Sequence, residues 1–151
     1  MKELDLYTST LDQTHLLGEK IGRYSFKNSV YLLDGDLGAG KTTLTQGIAR
    51  GLNIKKNITS PTFNILKIYK GNLPLYHIDA YRLEGVHQDL GFDELLDDDG
   101  VTVIEWSCFV KELILEEYMM ISITLEENGD RKFHFIAHGN KYENILEDLA
   151  C

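Results

Sequence analysis

The chain has 151 residues, 43% hydrophobic and 26% charged, a composition and length that suit one well-buried core, and a single domain over residues 1–151 is expected. It carries 24 acidic against 15 basic side chains, a formal charge of −9, which argues against direct, unaided binding to DNA or RNA. No apolar run approaches the roughly 18 residues of a membrane span. The opening Met1-Lys2-Glu3-Leu4-Asp5 lacks the pattern of a secretory signal, so a cytoplasmic location is expected. Cys108 and Cys151 stand in no CxxC or other ligand spacing and are expected to be free thiols.

In chain order, Ser9 or Thr10 is placed to cap a helix running through about Tyr24. Leu11, Leu17, Ile21 and Tyr24 fall near one face of that helix, which should cover a sheet. Ser29 to Asp34 is a short apolar run of strand formers closed by a glycine cluster, and Thr42 to Leu52 then reads as a helix. Further strands are predicted over 63–69, 75–79, 101–106, 119–125 and 132–138, with a closing helix over 142–149. The order is α/β at first and strand-rich later, which predicts an α/β fold with a parallel core sheet, antiparallel additions and flanking helices. Pro61 and Pro74 are the only prolines, and neither a linker tract nor an internal repeat is visible.

Gly35-Asp36-Leu37-Gly38-Ala39-Gly40-Lys41-Thr42 matches the phosphate-loop pattern GxxxxGK[ST] in full. Glycines let successive N–H groups turn inward on a phosphate, and the helix that follows presents its positive end. Lys41 brings a point charge to the outer phosphates, and the Thr42 hydroxyl is a ligand for Mg²⁺. An apolar strand run precedes the motif and an amphipathic helix follows it, the context that a P-loop NTPase fold requires.

Phosphoryl chemistry also needs a carboxylate for the metal and a group to orient the attacking water. Glu105 ends the run Val101-Thr102-Val103-Ile104, and Asp79 ends Leu75-Tyr76-His77-Ile78 in the same way. The usual Asp after an apolar run favours Asp79, the more apolar run favours Glu105, and the two stay unranked. A cap of a neighbouring helix or a pair with Arg82 is the structural alternative for either acid. Ser60-Pro61-Thr62-Phe63 lies where switch segments with a γ-phosphate-sensing hydroxyl occur in this fold, which makes Thr62 a candidate; strand entry after Pro61 is the alternative. Trp106 is expected to pack in the core opposite Glu105. His134 and His138 share a strand face without a third ligand in spacing, and are expected to be structural. Asp97-Asp98-Asp99-Gly100 reads as a solvated turn. Asn140-Lys141-Tyr142-Glu143 approaches the guanine-selecting NKxD, but Glu143 stands where Asp is needed, so an adenine nucleotide is preferred.

Four motifs in this order resemble the TsaE (YjeE) family of P-loop ATPases: Gly35 through Thr43, Ser60-Pro61-Thr62-Phe63, His77-Ile78-Asp79-Ala80-Tyr81-Arg82-Leu83, and Ile104-Glu105-Trp106. The resemblance implies that Lys41 and the amides of Gly35, Asp36, Leu37, Gly38, Ala39, Gly40, Thr42 and Thr43 hold ATP phosphates. It implies that Thr42 and Glu105 serve Mg²⁺, and that Asp79 and Thr62 act at the γ-phosphate end, Asp79 also within reach of the metal. Thr10 falls near the family's N-terminal nucleotide-contacting stretch, and Arg131, after a Gly129-Asp130 turn, resembles a basic position that reaches the nucleotide. Trp106 is implied to matter beyond packing. By the same resemblance the chain hydrolyses ATP for a TsaB–TsaD assembly that places threonylcarbamoyl on adenosine 37 of tRNAs reading ANN codons, and meets tRNA only through that assembly. A small-molecule or nucleoside kinase is the alternative from another class, disfavoured by the lack of an arginine-rich lid. A nucleotide switch that signals by binding alone is the third.

Overall fold

The computed structural model describes residues 2–35, 40–56, 58, 66–79, 99–105 and 117–150. In chain order they form β1 (Lys2–Thr8), α1 (Leu11–Tyr24), β2 (Val30–Gly35), α2 (Lys41–Gly51), β3 (Leu66–Tyr69), β4 (Leu75–Asp79), β5 (Val101–Glu105), β6 (Tyr118–Leu125), β7 (Arg131–His138) and α3 (Asn140–Ala150). The strands make one sheet in the order β1-β7-β6-β2-β5-β4-β3. Strands β6, β2, β5 and β4 run parallel, β7 on one side and β3 on the other run against them, and β1 pairs antiparallel with β7 at the outer edge. The expected parallel core with antiparallel additions is therefore present. Phe63 to Ile65 and Trp106, expected in strands, lie outside the described residues.

Burial follows from this topology. Every residue of β5 is buried, as a central parallel strand demands, whereas β6 and β7 alternate and bury Met119, Ile121, Ile123, Phe133, Phe135 and Ala137 on one face. Those residues join Leu17 and Ile21 of α1, Leu44 and Ile48 of α2, and Ile145 and Leu146 of α3 in one core. The edge strand β1 is not among the predicted elements, because three charged residues among its first four mask an alternation. Glu3, Asp5 and Tyr7 point away from the core side that takes Leu4, Leu6 and Thr8.

Helix α1 departs from the expected face. Leu17 and Ile21 are buried as predicted, but Leu11 and Tyr24 are exposed. The rest of its buried surface is Thr14, Gly18 and Gly22, because α1 lies against α2 as well as the sheet. The helices run parallel and touch backbone to backbone: a β-carbon on Gly47 would meet His15 O at 2.4 Å, and one on Gly22 would meet Ile48 O at 2.3 Å. Only glycine fits there. In a solvent-facing helix Gly→Ala stabilises by about 1 kcal/mol, whereas Gly47→Ala is expected to destabilise by about 2 kcal/mol through overpacking. Urea denaturation reads the sign, and a gain in stability would refute this packing.

Helix α3 closes the far end of the core. Val30 N–H donates to Tyr142 Oη at 2.8 Å, and the Tyr142 ring meets Phe26 edge-on at 5.1 Å between centroids. Burial pushes the Tyr142 phenol up to about 12. Tyr142→Phe leaves a buried N–H at the start of β2 without its acceptor, and a loss of about 1–3 kcal/mol in unfolding free energy is expected. A neutral substitution would show that the bond is dispensable.

Candidate nucleotide and metal site

Strands β2, β4 and β5 end at the same edge of the sheet, since Leu33 pairs with Glu105 and Asp79 also pairs with Glu105. Helix α2 starts at that edge, and the parallel α1 brings its own N-terminus alongside. The carboxyl edge of a parallel sheet, with helix N-termini above it, is where α/β folds bind ligands. Asp36, Leu37, Gly38 and Ala39 lie outside the described residues, as do Thr62 and Arg82.

Gly40 is the N-cap of α2 in the left-handed region, at φ 117°, and no side-chain hydrogen bond caps the helix. The first turn stands at the positive end of the helix dipole. Lys41 begins the helix almost fully buried and donates from Nζ to Gly35 O at 2.5 Å, which draws the two ends of the loop together. Thr42 and Thr43 are half-buried in the first turn, and Thr45 Oγ1 donates to Lys41 O at 2.9 Å.

Arg131 lies against Gly40. A β-carbon on Gly40 would meet Arg131 Cδ and Nε at 3.0 Å, so the absence of a side chain at Gly40 makes room for the guanidinium stem. The tight Glu126–Asp130 turn, closed by Glu126 N–H on Asp130 O at 2.7 Å, starts β7 where this is possible. Arg131 in turn pairs with Thr8 of β1, two residues before Thr10. Thr10 is the N-cap of α1, where its Oγ1 accepts from Gln13 N–H at 3.1 Å. Thr10, Arg131, Gly40 and Lys41 are thereby gathered at one edge.

Glu105 is buried, and its Oε2 is hydrogen-bonded to Nε2 of the fully buried His77. Asp79 closes β4 beside it in register. The sequence offers Arg82 as a structural partner for either acid; the partner found for Glu105 is His77. The clue is available in the strand period, which sets His77 two residues before Asp79 and on the face of Val103 and Glu105. The hydroxyl of Thr42 and the carboxylate of Glu105 are hard oxygen donors of the kind that suits Mg²⁺. A second link unread in the sequence is Gln46, whose Oε1 lies 3.0 Å from His15 Nε2 and whose amide donates to Ile58 O at 2.9 Å. It ties both helices to the chain just before Ser60.

The discounted motifs have structural places. His134 Nδ1 lies 2.5 Å from Asp5 Oδ1, and His138 stacks on Tyr118 with centroids 4.4 Å apart. Asn140-Lys141-Tyr142-Glu143 opens α3 at the opposite edge of the sheet, where Tyr142 meets the first residue of β2. No helix among the described residues is long and apolar enough to cross a membrane.

The sequence profile of the family described as threonylcarbamoyl adenosine biosynthesis protein TsaE matches residues 8–133. The chain is 40% identical over 151 residues to the Bacillus subtilis protein named tRNA threonylcarbamoyladenosine biosynthesis protein TsaE, covering 99% of this chain and 96% of that one. It is 42% identical over 117 residues to the Treponema pallidum protein of the same name, covering 76% and 87%. A crystal structure of Bacillus subtilis YdiB superposes with a TM-score of 0.83 at 37% identity, covering 99% of this chain and 95% of that one. With a strand, glycine loop and helix in P-loop order and these likenesses over nearly its whole length, the chain belongs to the TsaE family and has its P-loop fold.

Proposed function

We propose that this chain is a Mg²⁺-dependent ATPase that serves formation of the threonylcarbamoyl group on adenosine 37 of tRNAs reading ANN codons, acting on a TsaB–TsaD assembly in the cytoplasm without performing the transfer itself. The observation that carries the proposal is the gathering of Gly40, Lys41, Arg131 and Glu105 at the edge where β2 ends and α2 begins. Two cations and a helix N-terminus with a buried carboxylate beside them suit a nucleoside triphosphate better than a neutral ligand. The names of the relatives supply the pathway.

In this reading Lys41 and the loop amides from Gly35 to Thr43 bind the phosphates, and Arg131 offsets their charge from above. Thr42, Glu105 and Asp79 hold the metal, which when bound neutralises charge on the outer phosphate oxygens. One of the two carboxylates orients the attacking water, and Thr62 reports the γ-phosphate. Thr10 lies on the adenine side of the site. Adenine is favoured because Asn140-Lys141-Tyr142-Glu143, the nearest approach to a guanine-reading motif, belongs to the opposite edge. The motifs hold no evident cis arginine finger, Arg82 being the nearest candidate in sequence, so turnover of the isolated chain is slow. A chain of charge −9 is better fitted to docking on protein partners than to gripping tRNA.

Labelled ATP tests the chemistry. Free phosphate is the expected product; a phosphorylated nucleoside would establish the kinase alternative. Lys41→Ala is expected to weaken ATP binding about 10- to 100-fold, the worth of one charge-assisted hydrogen bond. Glu105→Ala is expected to slow Mg²⁺-dependent hydrolysis by about 100-fold while leaving nucleotide affinity within a few-fold. If Glu105→Ala abolishes hydrolysis yet supports full tRNA modification with TsaB and TsaD, binding alone is the signal and the ATPase role is wrong.

A further inference from the structure

Between β4 and β5 lies a polar pair in an otherwise apolar layer. His77 is wholly buried, Glu105 nearly so, and their neighbours on the same strands include Leu75, Val101 and Val103. His77 Nε2 and Glu105 Oε2 are hydrogen-bonded, while His77 Nδ1 is shielded from solvent and has no partner among the described residues. An apolar residue at position 77 would leave no such orphan, so packing alone does not account for the imidazole.

We propose that His77 is a positioning residue that fixes the Glu105 carboxylate for the metal. This rests on the reading of the site as a magnesium–nucleotide centre. Two arrangements of the shared proton are open to the pair. If Glu105 were protonated and donated to Nε2, the ring proton would sit on Nδ1 as a buried N–H with no acceptor. With the proton on Nε2, donated to Oε2, only a bare lone pair is left at Nδ1, which is the smaller penalty. A single directed bond from the neighbouring strand fixes the orientation of the carboxylate in a buried layer. Oε2 is committed to His77, and Oε1 accepts no hydrogen bond among the described residues, so Oε1 is the oxygen presented to the metal or its water.

The test pairs a spectroscopic with a functional readout. Nitrogen-15 NMR of the ring in the nucleotide-free chain is expected to show Nε2 protonated and Nδ1 bare, with the signals shifted in Glu105→Gln. His77→Leu is expected to raise the Mg²⁺ concentration for half-maximal ATP hydrolysis at least tenfold, with Mg²⁺-free ATP affinity changed less than twofold. His77→Gln, which keeps a donor at similar reach, is expected to recover most of the loss. Should the leucine variant fail to fold, His77→Asn, whose amide is too short to reach Oε2, takes its place. A ring protonated on Nδ1, an unchanged Mg²⁺ requirement in the donor-less variant, or a glutamine variant no better than it would overturn the proposal. A wild-type chain that takes up no magnesium–ATP would instead remove the site reading, and this inference with it.

Discussion

Helix α2 begins at Gly40, which has no side chain of its own to cap the helix, and it sets its positive dipole end at the carboxyl edge of the sheet. Helix α1 carries such a cap, Thr10 on Gln13 N–H. A glycine at the N-cap of α2 brings the helix dipole to that edge with no capping side chain of its own, which favours an anion there. Lys41, drawn back onto Gly35 O, and the stem of Arg131 over Gly40 add positive charge at the same place, within a chain whose overall charge is −9.

The remaining architecture keeps that edge in position. The glycines of α1 and α2 allow the two helices to touch through their backbones, and close-packed main chains leave little freedom to slide. Tyr142 anchors the start of β2, whose other end delivers the loop. Parallel pairing of β2, β5 and β4 sets Leu33, Glu105 and Asp79 level with one another. Arg131 arrives from the opposite direction, because β7 returns antiparallel beside β6 after a tight turn. A residue far along the chain is thus laid against a loop near its start.

Legibility in the sequence divided along the range of the interactions. The strand-loop-helix around Gly35 to Thr42, the parallel core and the strand-final places of Asp79 and Glu105 follow from local patterns, and the structure agrees. β1 escaped because alternation in Lys-Glu-Leu-Asp-Leu-Tyr-Thr is carried by two leucines among charges, and only pairing with β7 makes it a strand. The exposure of Leu11 and Tyr24 escaped because a helical wheel does not reveal that the neighbour is another helix reached through Gly18 and Gly22. The fourfold spacing of Gly18 and Gly22, matched by Gly47 and Gly51, was the readable sign. The nearness of Arg131 to Gly40 is not contained in any local spacing, since it depends on the return of β7 beside β6. His77 stood inside a quoted motif, yet its tie to Glu105 depends on a cross-strand register that one segment does not contain. Thr62, Trp106 and Asp36 to Ala39 lie outside the described residues.

Isothermal titration calorimetry of the purified chain with ATP, with and without magnesium, addresses this helix end and its surrounding charges most directly. One ATP per chain, taken up with an affinity that rises when magnesium is present, is the predicted result. No heat of binding from a chain that circular dichroism shows to be folded would mean that the glycine loop cradles something other than a nucleotide.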